Sequence, residues 1–325
     1  MSSFFLHAIV APQSQFLSLQ TIQPFNKTAW LAHATFSDFP HYAFDDTPPS
    51  SPWPGTSRGA GYTPFTPLEI LSCAARVGGV AFVGDSVMRE TVNQLLRHIG
   101  GCCVDNSVGH AQQTYDRDYD YNHTIIHISF RFARNAAPEL GDRVSELLKT
   151  GKVHAIVAGS GFWDLNPGQG GSSDIDFVTS YAIRIATFLK DLRSRVSAGT
   201  HTLVWNEVTN TEYSRIHDDR RSYLTNGRIA AVNAVARRLL AAWGDYGGGV
   251  GSGGVSGGGV MGNVPRWAIV DADLLIPINN LPALVSADGY HPTKEVLLNK
   301  VFAIFSELCP PFGPWSNAID VLGAV

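Results

Sequence analysis

From Gly78 onward the chain alternates short, continuous apolar runs with longer stretches of mixed character, and this alternation predicts strands and helices in turn. The apolar runs predict strands at Val80–Val83, Ile125–Phe130, Ala155–Ala158, Leu203–Glu207 and Ala268–Asp271. Helices are predicted at Val87–Ile99, Val144–Thr150, Asp174–Val196, Asn226–Trp243 and Thr293–Leu308. Strand–helix alternation of this kind implies an α/β domain, with a mostly parallel five-stranded sheet covered by helices on both faces.

The pattern fails at two places. Residues 1–70 are rich in Pro, Ser, Thr and aromatics, most irregularly at Thr47-Pro-Pro-Ser-Ser-Pro-Trp-Pro-Gly, and read as an extended segment packed on a domain formed by residues 71–325. Residues 244–262 are dominated by Gly with Ser and Val, too costly in chain entropy to order themselves, and read as a surface insertion before the last strand. The insertion contains no GxxxxGK[ST] and no strand-linked GxGxxG, so it is not read as a phosphate cradle.

Composition narrows the class. With 325 residues, 44% hydrophobic and 16% charged, the chain can bury a substantial core. A net charge of −4 and no basic run argue against nucleic acid as a partner. No apolar run is long enough for a membrane span, and the N-terminus lacks the positive region of a good secretory signal. Asn26-Lys27-Thr28 and Asn122-His123-Thr124 would accept glycans in a secretory lumen. Cys73, Cys102, Cys103 and Cys309 match no zinc template. They read either as buried thiols or, in an oxidising compartment, as one bridge, with Cys73 joined to Cys102 or Cys103 as the pairing considered. The acidic run Asp116-Arg-Asp-Tyr-Asp-Tyr lacks the ordered calcium-loop template and reads as a solvated loop; no metal is expected.

Chemistry concentrates at two short motifs. Val80-Ala-Phe-Val-Gly-Asp-Ser86 runs from a strand into a turn and then a helix, which presents Ser86 at the carboxyl edge of the sheet and at a helix N-terminus. Asp288-Gly289-Tyr290-His291 supplies an acid and an imidazole three positions apart, able to pair on one turn. A Ser hydroxyl becomes a useful nucleophile only beside a base whose tautomer is fixed, and Ser86, His291 and Asp288 supply those three roles. Gly84-Asp85-Ser86-Val87-Met88 lacks the second glycine of a GxSxG elbow, which argues against an α/β-hydrolase.

The chain resembles the SGNH/GDSL superfamily, in the branch of sialate O-acetyltransferases and fungal capsule O-acetylation proteins. Tyr62 to Glu90 resembles that branch's lead into its nucleophile strand, Leu224–Ile229 with Val232-Asn233 its Thr-Asn helix start, and Asp288–Pro292 its catalytic block. Gly161-Phe-Trp-Asp-Leu-Asn166 looks like the Trp-Asp segment of PC-esterase proteins. The resemblance implies a flavodoxin-like three-layer α/β/α sandwich, acyl-ester chemistry on a sugar hydroxyl, no bound cofactor, acetyl-CoA or another acetyl donor, and a Golgi-luminal setting. Sialate-branch members continue into a membrane acyltransferase region whereas this chain stops at Val325, so a separate membrane acyl-donor protein or an independent soluble catalyst is implied.

No oxyanion-hole Asn is evident after the third strand, where Gly159-Ser160-Gly161 stands; the Ser86 amide and a donor from that turn are the candidates. Arg89 can reach a substrate carboxylate or donor phosphate, or pair with a nearby acid. Arg131 and Arg134 can read an acidic sugar, and Trp163 offers a face for a sugar ring or packs on the core. The sequence thus predicts an O-acetyltransferase working on a glycan or polysaccharide acceptor. An acetyl esterase using the same residues, and a non-catalytic glycan-binding domain, are the alternatives.

Overall fold

The computed structural model describes residues 64–309, apart from 102, 106–108, 110–112, 168–175, 198, 218, 246–264, 266 and 277–280. The extended segment as far as residue 63 and the glycine-rich insertion from 246 lie outside the described residues.

In chain order the elements are α1 (Pro67–Arg76), β1 (Val80–Gly84), α2 (Ser86–His98), β2 (Thr114–Tyr121), β3 (Thr124–Phe132), α3 (Gly141–Lys149), β4 (Ala155–Ala158), α4 (Asp176–Arg193), β5 (Thr202–Asn206), α5 (Asn226–Asp245), β6 (Trp267–Val270), the short α6 (Ala272–Leu275) and α7 (Leu281–Leu284), and α8 (Lys294–Leu308). They build one sheet in the order β2-β3-β1-β4-β5-β6. All neighbours are parallel except β2 with β3. The parallel strands therefore lie second-first-third-fourth-fifth, a doubly wound order whose direction reverses at β1, next to β4.

Continuous apolar strands are what a sheet covered on both faces requires. On β1, Val80 and Phe82 enter one core with Ile70, Val92, Leu95 and Phe305 of α1, α2 and α8. Ala81 and Val83 enter the other, with Leu147, Ile185, Phe188 and Val232 of α3, α4 and α5. Each such large side chain, fully buried, contributes about 1.5–3 kcal/mol. The result is a three-layer α/β/α sandwich.

The five predicted strands are present, and a sixth joins them. The acidic run read as a solvated loop is β2, paired antiparallel with β3 at the sheet's edge. Tyr115, Tyr119 and Tyr121 pack partly buried on one core while Asp116, Asp118 and Asp120 take the opposite face, an alternation that the charge of this edge strand hides in the sequence. Its acids find basic partners instead: Asp118 Oδ1 lies 2.6 Å from His127 Nδ1, and Asp116 Oδ2 lies 2.9 Å from Arg131 Nη2. Asn122 and His123 turn the β2–β3 hairpin with φ of 49° and 63°, the left-handed pair a tight two-residue hairpin needs.

Helix α1 is a further element that the sequence pattern does not predict. Thr66 caps it in a reciprocal box with Glu69, and Pro67 takes the first helical position. Cys73 on α1 bonds Cys309, just past α8, with Cα atoms 5.9 Å apart and a sequence separation of 236. This corrects the considered pairing with Cys102 or Cys103; Cys103 is a free thiol. Closing so long a loop restricts the unfolded chain, so replacing both Cys73 and Cys309 with Ala is expected to lower the unfolding free energy by about 2–5 kcal/mol. A denaturant titration reads this, and an unchanged midpoint would show that packing alone holds α1 against α8.

Candidate active site

Ser86 owes its position to the two residues before it. A Cβ on Gly84 would stand 2.8 Å from both Gly159 O and Met88 Cβ, so only glycine lets the end of β1 pass between the β4 turn and α2. Asp85 is extended and caps α2, its Oδ1 accepting from the Val87 amide at 3.0 Å. Ser86 is thereby the first helical residue, where the helix dipole favours negative charge. Its own amide makes no hydrogen bond among the described residues.

Beneath this turn lies buried charge. Burial pushes the Asp85 carboxyl up, opposed by the bond from Val87 and by the charges of Lys300 and His291. Lys300, fully buried on α8, donates to the Glu207 carbonyl at 3.4 Å. Burial lowers its pKa to about 8, against the pull of Asp85 and Glu207. A lysine whose folded pKa is depressed binds fewer protons folded than unfolded between about 8 and 10.4, so this group makes stability rise with pH across that window. Unfolding titrations in that range should show the rise and should lose it in Lys300→Met; an identical slope in both proteins would assign it elsewhere.

His291 arrives on a pinned loop. Ser286 N donates to His291 O at 2.8 Å and Thr293 N to Leu284 O at 2.9 Å, closing a small hairpin just before α8. Arg215 ties its outer strand through Val285 O at 2.7 Å and Pro282 O at 2.9 Å. Gly289 has φ of +83°, and a Cβ there would meet Glu212 O at 2.8 Å, so the turn between Asp288 and His291 demands glycine. Thr293 caps α8 with its extended backbone, without a side-chain bond.

The result is a continuous line of three side chains. His291 Nδ1 lies 2.6 Å from Asp288 Oδ2, and His291 Nε2 lies 2.8 Å from Ser86 Oγ. A carboxylate accepts, so Nδ1 carries the proton and Nε2 is left to accept from the Ser86 hydroxyl. Asp288 Oδ1 also accepts from Ser286 Oγ at 2.8 Å and from the amides of Tyr290 at 3.1 Å and His291 at 3.0 Å. Partial burial pushes this carboxyl up, but the bonds from His291 and Ser286 outweigh it and hold it well below the usual range. A depressed carboxyl contributes stability above its unfolded pKa near 4 and loses that contribution as pH falls through the folded value. The Tyr290 ring lies 4.5 Å from the imidazole, and the Arg220 guanidinium sits 4.6 Å from the Tyr290 centroid.

The other candidates fare differently. Arg89 pairs with Glu90 at 2.8 Å and donates to Gln113 at 3.0 Å, the structural reading of that residue. Arg131 is buried between Asp116 and Glu146, so its guanidinium is not free to face a sugar; Arg134 pairs with Glu139 at 2.5 Å while its side chain stays 40% exposed. In the turn after β4, the Gly159 amide donates to Val83 O at 3.0 Å, and the Ser160 hydroxyl donates to Asp164. Neither group can serve an oxyanion in that arrangement; the amides of Ser160 and Gly161 make no bond among the described residues. Trp163 is half-buried in the same turn. Asp164 ties the turn together, accepting also from Arg184 at 2.8 Å and from the Ala136 amide at 3.3 Å.

No family model matches the sequence, and no curated protein matches it. Among solved structures, the chain is similar to a GDSL-like lipase of Bacteroides thetaiotaomicron at 13% identity, covering 72% of this chain and 94% of that one with a TM-score of 0.41. It is similar also to the acetylxylan esterase Axe2 of Geobacillus stearothermophilus at 12% identity, covering 71% of this chain and 95% of that one with a TM-score of 0.39. Likeness at these levels assigns no residue role and no substrate to this chain.

Several residues of the site gave no sequence signal. Ser286 and Arg215 act on the loop through backbone and carboxylate contacts that no motif announces. Lys300 lies in a helix whose other inward residues are apolar, and looks like a solvated lysine until the fold is known. Asp164 alone could have been singled out, as the acid of the Trp-Asp segment.

Proposed function

We propose that this chain is a serine acyl-transfer enzyme that moves an acetyl group to a glycan hydroxyl through an ester on Ser86. The observation that carries acyl chemistry is the unbroken Ser86–His291–Asp288 line, with Oγ to Nε2 at 2.8 Å and Nδ1 to Oδ2 at 2.6 Å. Ser86 Oγ attacks the acetyl carbonyl while its proton passes to His291 Nε2. The bond to the donor's leaving group then breaks, and the leaving group takes that proton. A sugar hydroxyl next gives its proton to Nε2 and attacks the Ser86 ester, and the proton returns to Ser86 Oγ as the acetylated sugar departs. Asp288 holds the imidazole in one tautomer throughout and stabilises its cationic form.

The glycan acceptor and acetyl-CoA or a membrane-held donor rest on the resemblance of the Asp288–Pro292 block and the lead into Ser86. Water in place of the sugar gives the esterase. A secretory-lumen setting is supported by the Cys73–Cys309 disulfide and by Asn122, whose sequon stands exposed at the hairpin tip. A glycan-binding module has no use for a hydroxyl hydrogen-bonded to an oriented imidazole.

The deciding experiment is labelling of the folded protein with a fluorophosphonate, with Ser86→Ala as control. Labelling of the parent chain alone is expected, and no labelling of a folded sample would favour the binding module. Incubation with acetyl-CoA and a panel of sugars, followed by mass spectrometry, then separates transfer from hydrolysis. Free acetate without acetylated sugar would count for the esterase.

A further inference from the structure

The tetrahedral intermediate formed on Ser86 carries a negative oxygen that needs fixed donors, and the turn after β4 has two of its polar groups already engaged. The geometry points to Asn135 as the side-chain donor of the oxyanion hole, an inference that rests on the acyl chemistry proposed for Ser86.

Three observations converge on it. The first is placement. The β3–β1 ladder continues past Phe132, with Ala133 N donating to Gly84 O at 2.8 Å, two residues before Ser86. Three residues further on, the Ala136 amide donates at 3.3 Å to Asp164, in the turn that follows β4. Because β1 lies between β3 and β4, the segment from Ala133 to Ala136 passes across the carboxyl end of β1. Ser86 begins α2 at that same end, and Asn135 lies within the crossing.

The second is burial without a partner. Asn135 is 9% exposed, and its Oδ1 is enclosed with no hydrogen bond. Its position just before a helical turn is one where Asn ordinarily caps the following amides, yet it makes no such bond. Nor does Nδ2 bond any of the described residues. A buried amide is a poor choice for a site with no use for it, since apolar residues of the same size fill space without leaving polar atoms unpaired.

The third is directionality. The backbone of Asn135 is extended, with φ of −130° and ψ of 164°, and its own carbonyl accepts from Leu140 N at 3.2 Å. The backbone on both sides of the residue is held, by the ladder to Gly84 and by the Asp164 contact, so the stem of its side chain is placed before substrate arrives. Preorganised donors of this kind contribute most, because they need no rearrangement at the moment charge develops. With the Ser86 amide, Asn135 Nδ2 makes the pair of donors that a tetrahedral oxyanion requires.

The test uses the full chain with 4-nitrophenyl acetate, and reads fluorophosphonate labelling of Ser86 in parallel. Asn135→Ala is expected to lower kcat by about 10²- to 10³-fold, with KM moving less than about threefold, because the donor engages the transition state and not the bound ester. Asn135→Asp keeps the side-chain shape but offers a carboxylate to the oxyanion, and is expected to be at least as slow. It also decides the matter should the Ala variant fold poorly. A thermal midpoint near that of the parent chain is expected for Asn135→Ala, since no bond is lost, whereas the unpaired carboxylate buried by Asn135→Asp is expected to lower it. Turnover within threefold of the parent in either folded variant overturns the assignment of Asn135 and leaves Ser86 chemistry standing. A parent chain that neither labels nor turns over instead overturns the acyl reading on which the assignment rests.

Discussion

Replacing His291 with Ala is expected to lower kcat for acetyl-ester turnover by about 10⁴- to 10⁶-fold while changing KM little. Ser86 Oγ has its base in His291 Nε2 at 2.8 Å, and without it the hydroxyl must shed its proton to water during attack. The same imidazole must protonate the departing group, so both halves of the reaction lose their proton carrier. The two residues act as one unit, and the double variant Ser86→Ala/His291→Ala is expected to be no slower than either single variant, within about threefold. A double variant far below both singles would mean that they contribute independently, contrary to the relay.

Asp288→Asn is expected to cost about 10⁴-fold in kcat with the fold intact. The substituted amide can still accept the Tyr290 and His291 amides through its oxygen, bonds now made to Oδ1 at 3.1 and 3.0 Å. Its NH2 group would then face His291 Nδ1, which must become the acceptor and push the ring proton to Nε2. That tautomer cannot accept from Ser86. Steady-state kinetics with a thermal-shift control reads the effect, and activity within tenfold of the parent would remove Asp288 from the relay.

Much of this site can be read without coordinates, because its parts are local. A strand, a Gly-containing turn and a helix fix where Ser86 stands, and Asp288 and His291 need only one turn between them, made feasible by Gly289. Strands β1, β4 and β5 are legible for a related reason: with both faces buried, their runs are almost wholly apolar.

What stayed hidden depends on partners distant in sequence. Strand β2 reads as a loop because its acids are matched by His127 and Arg131, residues whose neighbourhood appears only when the hairpin closes. Helix α1 is hard to read although Thr66-Pro67-Leu68-Glu69 carries a reciprocal cap, because a Pro-rich stretch before it masks that signal. Cys73 finds Cys309 because α1 and α8 pack on the same face of the sheet, a fact of topology. Arg89 and Ser160 were placed near the chemistry, yet Glu90, Gln113 and Asp164 occupy their polar groups.

The sequence separation of 205 between Ser86 and His291 sets the timing of activity during synthesis. A growing chain displays its nucleophile strand and α2 long before the imidazole leaves the ribosomal exit tunnel, so nascent chains are expected to be chemically silent. Competence and the covalent clasp at Cys309 then come together, as α8 emerges.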